Sequence, residues 1–171
     1  MAERPGVITM KGNPLTLLGQ EVNVGETAPD FEVIANDLSP FKFSSLKGKV
    51  AIISVVPSLD TPVCNIQTRW FNEEAAKLGS NVEILTISMD LPFSQKRWCG
   101  AAGVDRVKTY SDHRDAAFGL AYGVLIKELR LLARAVFVVD QGGVLRYTQL
   151  VKELANEPIY DEVLQAVGKL T

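Results

Sequence analysis

Two cysteines, a single histidine and one arginine set in an apolar run are the side chains of this chain whose type and setting could carry chemistry. Cys64 ends the run Pro57-Ser58-Leu59-Asp60-Thr61-Pro62-Val63-Cys64, between a β-branched apolar stretch and a helical pattern. Thr61 followed by Pro62 marks a helix start, with Thr at the N-cap and Pro at the first helical position. Cys64 then falls in the first turn, where unpaired N–H groups and the macrodipole favour a thiolate, the nucleophilic form of cysteine. A small core residue beside an ordinary cap would satisfy the same pattern. Helix periodicity does not choose between the two, because Cys64 lies one position off the apolar stripe.

Arg134 supplies a second observation. It sits inside Leu131-Leu132-Ala133-Arg134-Ala135-Val136-Phe137-Val138-Val139, a run that should be buried. A guanidinium there cannot shed its proton and needs an anionic or strongly accepting partner. A buried Asp or Glu is the ordinary partner. A thiolate at the mouth of a neighbouring strand would serve as well, and the arginine could then also hydrogen-bond a substrate oxygen. Cys99, in Gln95-Lys96-Arg97-Trp98-Cys99-Gly100, stands at the expected end of a short helix. That end disfavours negative charge, which keeps a thiol protonated, and it frays readily. A cysteine simply packed beside Trp98 is the plain alternative. His113 invites a thiol–imidazole pairing, but its polar surroundings, Tyr110 to Asp115, suit a helix start better.

Composition narrows the remaining chemistry. Structural zinc takes about four Cys or His ligands, and two cysteines with one histidine are too few. No phosphate-binding GxxxxGK[ST] or GxGxxG is present, and neither a metal, a flavin nor haem has support, so no cofactor is expected. With 18 basic and 20 acidic residues the net charge is −2, which gives no reason to expect nucleic acid or an anionic membrane as partner. The longest apolar runs are far too short to span a bilayer, and the N-terminal residues lack the apolar stretch of a secretory signal. A cytoplasmic location is the expectation.

The elements that must position these residues follow from pattern. The 171 residues, 47% of them apolar, fit one domain, 1–171, without a linker. Residues 1–24 read as an N-terminal hairpin extension broken at Gly12-Asn13-Pro14 and Gly19. Strands are expected at Phe31–Ile34, Lys49–Val56, Val82–Ser88 and Val107–Tyr110. Helices are expected over Val63–Leu78, Leu91–Gly100, Arg114–Tyr122 and Pro158–Val167. Ala135–Val139 and Val144–Leu150 flank Asp140-Gln141-Gly142-Gly143, a hairpin signal. This order predicts an α/β thioredoxin-like fold, a mixed central sheet covered by helices on both faces, with the N-terminal β-hairpin added.

The pattern Px3Tx2C, here Pro57, Thr61 and Cys64, resembles the signature of the peroxiredoxins. Pro-Ser-Leu-Asp-Thr-Pro-Val-Cys is similar to the thiol peroxidase branch in particular. So are Lys-Gly-Asn-Pro (11–14), Asp-Leu-Pro-Phe-Ser-Gln-Lys-Arg-Trp-Cys-Gly (90–100), Ser-Asp-His-Arg-Asp (111–115) and Leu-Leu-Ala-Arg-Ala-Val (131–136). The resemblance runs from about residue 8 to the end. It implies a peroxidatic Cys64 that attacks the O–O bond of hydrogen peroxide or an organic hydroperoxide to give a sulfenic acid. Thr61 would hydrogen-bond the thiolate and the peroxide, Arg134 would stabilise charge on the peroxide oxygens, and Pro57 would shield the pocket. Cys99 would be the resolving cysteine of an intramolecular Cys64–Cys99 disulfide, reduced again by a thioredoxin-like protein. The resemblance also implies a homodimer. A disulfide needs Cα atoms within about 7 Å, so two cysteines on different helices imply local unwinding in each cycle.

Two other readings compete. A thioredoxin-like disulfide reductase would carry Cys-x-x-Cys, whereas positions 64 and 99 are far apart. A non-catalytic thioredoxin-fold module, used for binding or redox sensing, would not need Thr61, Cys64 and Arg134 together.

Overall fold

The computed structural model describes all 171 residues, Met1–Thr171. The chain opens with β1 (Glu3–Met10) and β2 (Asn13–Leu18), followed by β3 (Glu32–Ile34), β4 (Pro40–Lys42), a 3-10 turn at Phe43–Leu46 and β5 (Val50–Val55). Next come α1 (Pro62–Ala75), β6 (Val82–Ser88), α2 (Pro92–Ala102), β7 (Lys108–Ser111) and α3 (Ala117–Ala121). The last part holds β8 (Leu125–Ile126), β9 (Ala135–Val139), β10 (Leu145–Leu150) and α4 (Tyr160–Gly168). Seven strands form one mixed sheet in the order β10-β9-β5-β6-β7-β3-β4, while β1, β2 and β8 form a small second sheet. β5, β6 and β7 are parallel to one another, and their neighbours are antiparallel.

The all-apolar runs of β5 and β9 arise because both faces of the central sheet are covered. Ala51, Ile53 and Val55 point with Phe137 into a core shared with Ile8 and Leu17 of the N-terminal hairpin and with Phe118 of α3. Val50, Ile52, Val136 and Val138 point the other way, onto Phe71 of α1 and Val163 and Val167 of α4. This is the expected thioredoxin-like arrangement with a hairpin extension. Removing a buried aromatic such as Phe71 would cost about 3–5 kcal/mol, enough to threaten a domain of this size.

Several expected boundaries move, each for a local reason. The first hairpin turns at Lys11 and Gly12, both at positive φ (50° and 81°), rather than at Gly12-Asn13-Pro14. α1 ends at Ala75, short of Leu78, because Ala76 and Lys77 donate to carbonyls three residues back and tighten the last turn. α2 continues past Gly100 to Ala102. Gly103, at φ 68°, adopts the left-handed stop and donates its N–H to the Cys99 carbonyl. The helix expected from Arg114 begins only at Ala117, since left-handed Ala116 precedes it and the buried Asp112 carboxylate accepts from the Phe118 and Gly119 N–H groups. The short strands β4 and β8 were not expected.

Candidate active site

Strand register explains why residues far apart in sequence meet. β9 runs antiparallel to β5 with Ala135 opposite Val55, so Arg134 lies at the sheet end where β5 gives way to Pro57. α1 starts from the same end. A depression of about 410 Å³ opens there, lined by Pro57, Thr61, Pro62, Val63 and Arg134 and, from other segments, Met10, Lys11, Leu154 and Ala155. Thus three of the five expected site residues share one cavity.

Cys64 lies in the first turn of α1, as its spacing from Pro62 requires. Its side chain is fully buried among Val56, Leu59 and the partly buried Trp98, and it does not line the depression. Thr61 stands at the N-cap in extended conformation, yet its hydroxyl makes no cap bond. It donates instead to the Ser58 carbonyl at 2.9 Å, and so it reaches neither the helix amides nor the Cys64 sulfur. The backbone N–H groups of Val63 and Cys64 consequently have no acceptor in the protein, and the first intrahelical bond is Asn65 N–H to Thr61 O. The helix entrance therefore offers two free donors where a negative charge would be stabilised.

Arg134 is buried, as its apolar flanks predict. Its partner is neither an Asp or Glu nor the thiol. Nε and Nη2 donate to the Leu154 carbonyl at 3.0 and 2.9 Å, and Nη1 donates to Gln67 Oε1 at 3.0 Å. Gln67 is itself buried and donates to Ser54 Oγ at 2.8 Å. Two of the five guanidinium N–H groups are left without a protein partner. A cation held only by neutral acceptors, with two N–H groups to spare, keeps its charge available to an incoming ligand in the depression.

The segment carrying Leu154 is fixed by the N-terminal hairpin. Leu154 N–H donates to Thr9 O, and Thr9 N–H donates to Lys152 O, both at 2.8 Å. Glu153 adds acceptor bonds to Thr9 Oγ1 and Gly12 N. The hairpin thus holds the carbonyl that orients Arg134, and its tip, Met10 and Lys11, forms part of the cavity wall.

Cys99 has a different setting. It sits in the last turn of α2, half-buried, and is a free thiol like Cys64. It opens onto a second depression of about 460 Å³, lined in part by Asn36, Phe41, Thr109 and Tyr110. Its Sγ is 3.5 Å from Thr109 Oγ1, and the Thr109 hydroxyl donates to Asn36 Oδ1 at 3.0 Å. Only lone pairs remain on that hydroxyl for the Cys99 S–H. Burial pushes the Cys99 thiol up from its ordinary range. His113 is engaged with the Ser111 hydroxyl at 2.8 Å and lines neither depression.

Sequence reasoning missed Gln67 and the Leu154 carbonyl. Gln67 had a usable signal. Cys64, Gln67, Thr68 and Phe71 form the buried face of α1 at helical spacing, and a glutamine on that face must find polar partners. The carbonyl of Leu154 carries no side-chain signal at all.

A thioredoxin-like sheet with a cysteine at a helix entrance, a resident buried arginine and a second thiol on the next helix defines a thiol-dependent redox enzyme. The Redoxin family matches residues 23–164. The thiol peroxidase of Halalkalibacterium halodurans is 60% identical over 159 residues, covering 93% of this chain and 95% of the relative. That of Bacillus subtilis is 59% identical over 163 residues, covering 95% of this chain and 97% of the relative. A peroxiredoxin-like protein from Aquifex aeolicus superposes with a TM-score of 0.91 at 44% identity, covering 97% of this chain and 98% of that one. The chain belongs to the thiol peroxidase branch of the peroxiredoxin family. Its activity is accordingly that of a thiol-dependent peroxidase, with a hydroperoxide as substrate and a thiol as reductant.

Proposed function

We propose that Cys64 is the peroxidatic residue and Cys99 the resolving one, in a single catalytic domain that reduces hydrogen peroxide and organic hydroperoxides. The observation that carries this reading is the shared depression, which sets Arg134 and Pro57 beside the helix entrance that holds Cys64. A hydroperoxide seated there meets the two unpartnered guanidinium N–H groups and the free Val63 and Cys64 amides, which stabilise charge developing on its oxygens. Pro57 excludes water from one wall. Thr61 exchanges its bond to Ser58 for one to the thiolate or peroxide by turning about one side-chain torsion. The thiolate attacks the distal oxygen, the O–O bond breaks, and water or an alcohol leaves with Cys64 as sulfenic acid. Apolar wall residues such as Met10, Val63 and Leu154 suit the carbon chain of an organic hydroperoxide.

The Cys99 thiol then condenses with the sulfenic acid, giving a disulfide within one chain and a second water. Cys64 and Cys99 pack in separate apolar clusters, so this step requires rearrangement of the α1 entrance, of α2, or of both. A thioredoxin-like dithiol restores both thiols by exchange. The enzyme is proposed to act in the cytoplasm as a homodimer.

The test is a coupled assay in which thioredoxin and its reductase recycle the enzyme while hydrogen peroxide or cumene hydroperoxide is supplied. Steady turnover that requires both Cys64 and Cys99 is the expected result. Turnover undiminished by Cys64→Ser would overturn the assignment.

A further inference from the structure

We infer that Asp90 is a positioning residue that couples the Cys64 loop to the Cys99 helix and so sets the rate at which the disulfide forms. The inference rests on the two-cysteine reading above. Asp90 lies between β6 and α2, outside both depressions. Its carboxylate accepts from Ser58 Oγ at 2.7 Å, from Leu59 N at 2.8 Å and from Ser88 Oγ at 2.7 Å, and none of these donors is a cation. Ser58 and Leu59 belong to the loop entering α1, and Leu59 packs directly in the cluster around Cys64. The Ser58 carbonyl in turn accepts both the N–H and the hydroxyl of Thr61.

The other arm leads to α2. Having donated to Asp90, the Ser88 hydroxyl accepts from Gln95 Nε2 at 3.0 Å, and the same nitrogen donates to the Tyr110 carbonyl at 2.8 Å. Gln95 is fully buried, one helical turn before Cys99, and its Oε1 has no partner. Ser111 Oγ fixes the Asp90 backbone by donating to its carbonyl at 2.5 Å. One polar chain therefore runs from the Cys64 loop through Asp90 and Ser88 to the helix of Cys99. Hydrogen bonds to a carboxylate are the strong members of such a chain, whereas the α2 arm ends on an unsatisfied buried acceptor.

The consequence is a partition. Cys64 sulfenic acid either condenses with the Cys99 thiol, releasing water, or is attacked by a second hydroperoxide, giving sulfinic acid and an alcohol or water. The first route needs the loop and helix to leave the arrangement that Asp90 holds, and the second does not. Weakening Asp90 therefore speeds disulfide formation and spares Cys64 from overoxidation, while slowing the first attack on peroxide.

The experiment follows Asp90→Asn and Ser58→Ala beside wild type in single-turnover mixing with hydrogen peroxide. The first-order, peroxide-independent phase of disulfide formation is read by intact mass after acid quench, with sulfinic acid quantified in the same samples. Disulfide formation about tenfold faster in Asp90→Asn, roughly the factor carried by one charge-assisted hydrogen bond, with less sulfinic acid, is expected; Ser58→Ala should move the same way. A first-order rate unchanged or slower in folded variants overturns the coupling and leaves the two-cysteine reading intact. Should Asp90→Asn not fold, the partly exposed Ser58→Ala decides by the same criterion. Wild-type thiols that survive the peroxide would remove the two-cysteine reading itself, and the coupling with it.

Discussion

The surroundings of Cys64 and Cys99 differ in helix polarity and in hydrogen-bond partners. Cys64 stands at a helix entrance with free backbone N–H groups, beside a depression that holds a buried arginine. Cys99 stands in a last helical turn, half-buried, hydrogen-bonded to a hydroxyl that offers it only lone pairs. Free N–H groups at a helix entrance are donors that a negative charge can use, whereas a last helical turn offers carbonyls that repel one. Helix polarity and neighbours thus separate two identical side chains, as the proposed division of roles between them requires.

The contrast breaks most completely if the arginine is removed. Arg134→Met should lower the rate of Cys64 oxidation by about 10²–10³-fold, the usual effect of losing a preorganised donor to developing charge. Stopped-flow mixing with peroxide measures it, and a rate equal to wild type would mean that Arg134 serves packing alone. Replacing Gln67 by Met should act less strongly, by roughly tenfold, because Arg134 keeps its two bonds to Leu154 and loses one acceptor. Glu, which restores an acceptor for Nη1, should recover much of the loss.

On the Cys99 side, burial raises the thiol above its ordinary range, so its thiolate is scarce near neutrality. In a Cys64→Ser background, iodoacetamide labelling of Cys99 should be slow at pH 7.5 and still climb past about pH 9.5, where a cysteine with the ordinary pKa of about 8.5 has levelled off. A plateau by pH 8 would erase the difference between the two sites.

The smallest effect concerns Asp112, which follows the strand carrying Thr109. Burial pushes its carboxyl up to about 6, partly opposed by the N–H groups of Gly119 and Phe118. Because the folded value lies above the unfolded one, its contribution to stability is full below about 4 and is lost as pH rises through about 6. Wild type should thus lose stability relative to Asp112→Asn between those limits and run parallel to it above pH 7. Thermal melts across that range check the sign.

How far these differences could be read from residues alone varied with the physics behind them. β5 and β9 were legible because burial on both faces writes an unbroken apolar run. The α1 entrance was legible because Thr61-Pro62 can do little else. α2 was misjudged at its end, since Gly100 is tolerated inside a helix and the left-handed stop falls on Gly103. β4 and β8 are too short to carry a period. Arg134 announced that it needed a partner but not which one, because Gln67 and Leu154 are brought to it only by strand register and by the hairpin that pins residues 152–154. Thr61 was placed correctly at the N-cap, and only the structure shows its hydroxyl turned to Ser58.

The assigned roles of the two cysteines are tested most directly by intact mass and free-thiol count before and after one equivalent of hydroperoxide, with Cys64→Ser and Cys99→Ser alongside. Rapid loss of two hydrogens and both thiols, abolished by Cys64→Ser and diverted to a sulfenic or higher acid by Cys99→Ser, is predicted. Sulfenic acid forming on Cys99, or thiols that outlast the peroxide, would contradict it.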